Sequence, residues 1–210
     1  EIHFIEGKRS HFESLKRLLE DHADRKVTMH LGDSNEIIPN ICTSIRWRRS
    51  NGARAVAFVD PYGINANWET LGAMQRTRAI DVWYLFNTFG AYRQLPKHLD
   101  LLEPEKDRSL TRVFGSDAWK RAFFLSGEEA QADLFGGAEG GEKNATVADV
   151  AAFMRTRLAA VFPFVSKPLP LAANNQPQAF TLFLCVSNPS PKAWGLAAKV
   201  AKHILDKQGS

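Results

Sequence analysis

The sequence predicts one α/β domain over residues 1–210, with helices on both faces of a mostly parallel sheet. Three observations predict it. Strand and helix signals alternate through the first half of the chain. The run 53–59 is almost continuously apolar, as in a strand covered on both faces. A hairpin pattern and a well-started helix then close the chain. With 210 residues, 44% of them hydrophobic, there is material for one sizeable core. A net charge of +4 and a pI near 9.1 permit a polyanionic partner without requiring one.

The elements follow in order. Ile2–Glu6 is a short apolar strand ending in an acid, and the chain enters it directly after Glu1. A helix is expected over 8–23, where Phe12, Leu15, Leu18 and Leu19 recur at helical spacing. Val27–Leu31 is the second strand. After Gly32-Asp33-Ser34, the residues Ile37, Ile38, Ile41 and Ile45 suggest a helix interrupted or bent near Pro39. The strand 53–59 lies between Asn51-Gly52 and Asp60-Pro61. Asn67 is placed to cap a helix running to 77, and Ile80–Phe86 is a fourth strand rich in Val, Trp, Tyr and Phe.

The second half differs. Short helices over 94–102 and 116–125 belong to a helical insertion at about 90–145, and the glycine-rich stretch 136–141 reads as a loop. Thr146 and Asp149 have capping-box spacing before Val147, Val150, Met154, Leu158 and Val161. Segments 162–171 and 178–187 face each other across Asn174-Asn175-Gln176-Pro177 as an antiparallel hairpin. Ser190 and Pro191 then start a helix whose apolar side is Trp194, Ala197, Val200, Ala201 and Ile204. Parallel βα units closed by a hairpin and a terminal helix are the layout of the three-layer, Rossmann-like class I methyltransferases. Other α/β folds share that layout, and layout alone does not fix function.

Ligands of open parallel sheets bind beyond the carboxyl ends of the strands. Here those ends carry Glu6-Gly7, Gly32-Asp33-Ser34, Asp60-Pro61-Tyr62-Gly63 and Asn87-Thr88, so three of the four hold a carboxylate. Glu6 is placed to accept hydrogen bonds from ribose hydroxyls, or to sit as an acid at the start of the following helix. Asp33, beside Ser34, is placed to accept from an adenine amino group, or to cap the next helix. Asp60, Pro61 and Tyr62 resemble the Asp/Asn-Pro-Pro-Tyr/Phe tetrad of amino-directed methyltransferases, with one proline absent and glycine after the tyrosine. In that tetrad the acid and a backbone carbonyl accept from the target amine and the ring stacks on a base. The alternative is a tight turn.

Other signals are weaker. Arg46-Trp47-Arg48-Arg49 mixes cations with an aromatic, as single-stranded nucleic acid sites do, or marks a solvated helix end with a buried Trp. Cys42 and Cys185 both sit in apolar stretches, which suits buried thiols in a reducing cytoplasm. Six scattered histidines have no metal-ligand spacing, so no metal is expected. Neither a membrane-length apolar run nor a signal-peptide pattern occurs.

Several stretches together resemble the three-Cys-motif partner proteins (TcmP). They are His3-Phe4-Ile5-Glu6, Ala57-Phe58-Val59-Asp60-Pro61-Tyr62-Gly63 with Trp68-Glu69-Thr70-Leu71, and Asp81-Val82-Trp83-Tyr84-Leu85-Phe86. Phe114-Gly115-Ser116-Asp117-Ala118-Trp119, Ser187-Asn188-Pro189 and Lys192-Ala193 complete the set. The resemblance implies a Rossmann-like methyltransferase fold and pairing with a radical S-adenosylmethionine-like protein that carries the three cysteines. It also implies a further opening strand and an Asp-x-Phe-Ala-Gly-x-Gly loop that would cradle the methionine end of the cofactor. That segment is missing from this sequence, so the sheet is expected to lack its first, central strand. The leading expectation is an S-adenosylmethionine-dependent methyltransferase acting on a nucleobase or similar amine. In it Glu6, Asp33 and Ser34 would serve the cofactor, and Asp60, Pro61 and Tyr62 the acceptor. The alternative is a non-catalytic scaffold that docks the three-cysteine protein or nucleic acid.

Overall fold

A computed structural model describes residues 1–20, 22, 24–47, 52–124, 141–172 and 179–206. The chain is α/β, and its strands fall into two sheets. Strands β1 (Ile2–Glu6) and β2 (Val27–Leu31) pair in parallel, joined by helix α1 (Arg9–Glu20). A crossover through α2 (Ser34–Ser44) leads to β3 (Ala55–Val59), and α3 (Trp68–Thr77) leads on to β4 (Ile80–Phe86), parallel to β3. Then come α4 (Thr88–Gln94), a 3-10 turn (Leu99–Leu101), α5 (Pro104–Phe114), α6 (Trp119–Phe124) and α7 (Val147–Ala159). Strands β5 (Phe164–Val165), β6 (Leu169–Leu171) and β7 (Phe180–Val186) precede the last helix, α8 (Pro191–Asp206). The second sheet is mixed, in the order β3-β4-β7-β5, with β6 also on β7 and every β7 pairing antiparallel.

The hairpin expected over 162–171 and 178–187 has its first arm broken in two. Val165 is opposite Cys185 and Leu169 is opposite Leu182, so four steps on one arm face three on the other. That is a one-residue bulge. Ser166 fills it: its N–H donates to the Leu184 carbonyl and its Oγ accepts from the Leu184 N–H. The turn at 174–177, most of the glycine-rich stretch, and Arg48 and Arg49 lie outside the described residues.

Other boundaries shift for physical reasons. Helix α1 ends at Glu20 rather than near 23. Helix α2 runs through Pro39, which has no N–H to donate to the preceding turn. Asn67 precedes α3, but its side chain makes no cap hydrogen bond. In the helical insertion, the short helix expected over 94–102 is replaced by α4, which ends at Gln94, and the 3-10 turn Leu99–Leu101, while α5 lies at 104–114, where no particular helix was expected. Its apolar stripe is thin, with Leu110, Val113 and Phe114 buried, and its start is marked by Pro104 in the first turn.

The main core lies on one face of the mixed sheet. Val82, Tyr84, Phe86, Phe183 and Cys185 meet Leu71 and Met74 of α3, Leu110 and Phe114 of α5, and Met154 and Leu158 of α7. On the other face Leu184 and Val186 pack with Ala201 of α8, flanked by Trp83 and Trp194. The expected two-sided cover of 53–59 fails: Ala55, Ala57 and Val59 pack on the core, while Val56 is 70% exposed and Phe58 65%. On the first sheet Ile2 and Phe4 are exposed too, and α1 buries no residue fully.

Four stretches quoted for the resemblance make contacts between elements of the fold. Trp68 lies against Gly115, so closely that a Cβ added there would fall 2.1 Å from Trp68 Cγ. The Arg157 guanidinium covers the same indole at 5.2 Å and donates from Nε to the Phe114 carbonyl. At the other end, the Ser187 N–H donates to Asp81 Oδ1 and the Asn188 carbonyl accepts from Trp194 Nε1–H, fixing α8 to the sheet.

Candidate functional site at the strand tips

Each candidate acid stands where a parallel strand ends. At the tip of β1, the Glu6 carbonyl accepts from the Gly32 N–H at 3.0 Å, which extends the β1–β2 ladder past Leu31. The Glu6 carboxylate turns toward α1. Its Oε1 accepts from the Lys8 N–H at 2.7 Å, and Oε2 stands 3.8 Å from His11 Nδ1. At the tip of β2, Asp33 is the N-cap of α2 and accepts the Asn35 N–H at 2.8 Å. Ser34 opens that helix, exposed. Both acids thus satisfy local backbone donors, as helix-start acids do. Asp33 Oδ2 makes no hydrogen bond among the described residues.

The side chain that ties the tips together is Asn35, which sequence reasoning missed. Its Nδ2 donates to Asp33 Oδ1 at 3.1 Å and to the Asn65 carbonyl at 2.8 Å. Its Oδ1 accepts from the Asn67 N–H and from Thr70 Oγ1, both at 2.9 Å. One amide therefore joins the start of α2 to the loop that follows β3. Nothing in the spacing of Asn35 distinguishes it from any polar residue in a first helical turn, because its partners are about 30 residues away along the chain.

Asp60, Pro61, Tyr62 and Gly63 form the turn after β3. The Tyr62 carbonyl accepts from the Asn65 N–H at 3.3 Å, and Gly63 has φ 62°, a left-handed conformation that favours glycine. The Tyr62 ring is 93% exposed, a free aromatic face. Asp60 is exposed, and its carboxylate has no hydrogen-bond donor among the described residues. The tips therefore present a row of oxygen acceptors and one open ring. Such a set suits ligands rich in hydroxyl and amino donors. Two open depressions lie away from the tips: one, of about 290 Å³, at the opposite end of β3 and β4, and another, of about 440 Å³, between α6 and α7.

The basic cluster divides. Arg46 is exposed, and its carbonyl accepts from the Ala53 N–H. Trp47 is half-buried against the core and donates from Nε1 to the Cys42 carbonyl at 2.7 Å, so its ring serves packing. Among the described residues, no group of three His, Cys, Asp or Glu side chains is placed to hold a metal, and no helix is long and apolar enough to cross a membrane.

Compared with family models, with curated proteins and with solved structures, the chain matches none. Its class rests on its own architecture, an α/β chain with a mixed sheet.

Proposed function

We propose that this chain is an S-adenosylmethionine-dependent, methyltransferase-like protein of the TcmP kind, acting on a nucleobase or similar amine. The observation that carries the reading is the placement of Glu6, Asp33 and Asp60 at the carboxyl ends of β1, β2 and β3, with Asn35 joining the last two regions. The acceptor set fits the nucleoside half of the cofactor, whose ribose hydroxyls and adenine amine are donors. Glu6 would hold the ribose, and Asp33 with Ser34 the adenine. When bound, the cofactor supplies an electrophilic methyl group. Asp60 would accept from the substrate amine, turn its lone pair toward that methyl and take up the displaced proton. Pro61 sets the turn, and Tyr62 would stack on the base.

A finer fold belongs to the same proposal. A further parallel strand between β1 and β3 would pair with both, join the two sheets in Rossmann-like order, and bring cover to Ile2, Phe4, Val56 and Phe58. The outer face of β3, where Val56 and Phe58 lie exposed, favours a second reading, a non-catalytic scaffold docking a radical S-adenosylmethionine-like three-cysteine protein. Calorimetric titration with S-adenosylmethionine separates the two. Binding that weakens at least tenfold in Glu6→Ala supports the enzyme. Absence of binding removes it and leaves the scaffold.

A further inference from the structure

We propose that the amino-terminal end of the β3–β4 pair binds the phosphates of single-stranded nucleic acid, with Arg54 and Arg78 as the principal contacts. This surface lies at the opposite end of the strands from the carboxylates and stands independently of the methyl-transfer reading. Charge is sorted by position here. Between Lys26 and Lys97 the chain has no lysine, and six of its seven arginines (Arg46, Arg48, Arg49, Arg54, Arg76 and Arg78) belong to segments leading into β3 or β4. The acids of the same stretch, Asp33, Glu36, Asp60 and Glu69, stand at the carboxyl end, and only Asp81 stands with the arginines.

Arg54 and Arg78 line one open depression of about 290 Å³ together with Ala55, Val56, Ala79, Asp81 and Asn188. The negative charge of Asp81 faces this depression as well, but its Oδ1 already accepts the Ser187 N–H. Among the described residues no ion pair includes Arg54 or Arg78. Cations at helix C-termini are favoured by the macrodipole, which accounts for a positive charge near the ends of α2 and α3. It does not account for Arg54, nor for arginine to the exclusion of lysine. Arginine is preferred where planar, two-pronged contact with phosphate matters.

Arg78 adds an independent observation. It is the only non-glycine residue with positive φ among those described, at 53°, in the position after α3 where glycine is the relaxed choice. A guanidinium is kept there against a backbone preference. The shallow, open shape suits a strand passing across it rather than an enclosed small molecule.

The test is fluorescence anisotropy with a labelled, mixed-sequence single-stranded RNA of about 16 nucleotides, titrated from about 50 to about 200 mM salt. Wild-type protein should bind with affinity that falls steeply as salt rises. The double variant Arg54→Ala/Arg78→Gly should bind at least tenfold more weakly, with the slope of log K against log salt reduced by about 1.4 for two lost phosphate contacts. Arg78→Gly alone should weaken binding without lowering Tm, which separates recognition from folding. No binding at low salt, or an unchanged affinity and slope in the double variant, overturns the proposal. Equal competition by polyglutamate of matched charge also overturns it and assigns the surface to an acidic protein partner.

Discussion

Gly115 and Trp68 illustrate how much rests on single atoms. A methyl group at Gly115 would meet the indole at 2.1 Å, on a residue whose φ of 68° already disfavours any side chain. Gly115→Ala should therefore cost about 2–5 kcal/mol, read as a lower urea midpoint at unchanged slope. Tyr84 presents the reverse case. Its ring is fully buried and its hydroxyl finds no partner among the described residues, so a desolvated polar group is carried within the core. Tyr84→Phe should hold or raise stability, by up to about 2 kcal/mol. Burial also pushes the Tyr84 phenol and the Cys185 thiol well above their ordinary values of 10.0 and 9.0. Both groups stay protonated in the folded chain while the unfolded chain loses their protons. Stability from them is thus intact below pH 9 and declines above it, by about 1.4 kcal/mol per pH unit for each group past its ordinary pKa. Urea midpoints measured across the alkaline range should fall, and less steeply in Cys185→Val.

Among the elements, α7 has the most local definition. The Thr146 hydroxyl accepts from the Asp149 N–H, and the Asp149 carboxyl is held below its ordinary pKa by hydrogen bonds from the Thr146 hydroxyl first and the Thr146 N–H second. Thr146→Ala should cost about 1 kcal/mol in thermal unfolding, and some of that loss should vanish in acid, where Asp149 is protonated in both variants. This capping box was legible in the sequence because all its parts lie within four residues. The same holds for β1, β2 and β4, whose apolar runs have sharp polar boundaries. What was not legible depended on distant partners. Helix α5 has too narrow a stripe to read as a helix until α3 and α4 pack on it. The continuous run in β3 gave no hint that one face would stay bare, since apolarity records what a residue prefers and not whether a neighbour exists to cover it. For the candidate site, the strand-end carboxylates could be read from order alone. The bridge through Asn35 could not, nor could the gathering of Arg54 and Arg78, because both arise from crossovers.

At the scale of the molecule, the strip formed by Val56 and Phe58 is the principal departure from a closed core. Because both side chains are exposed, Phe58→Lys should alter folding stability by no more than about 0.5 kcal/mol. Phe86→Ala, on the buried face of the neighbouring strand, should cost about 3–5 kcal/mol. Calorimetric melting of the two variants would show the contrast. Among the described residues β1 and β3 each have a flank with no partner strand, and this has a further consequence. The two flanks are different surfaces on one molecule, each able to extend a parallel ladder, so the flank of β3 in one copy can take β1 of the next. A head-to-tail junction of that kind does not close on itself, and repeated use produces a growing fibre rather than a defined dimer. Light scattering that rises with protein concentration, and that Phe58→Lys suppresses, is the expected mark of these two unmatched flanks.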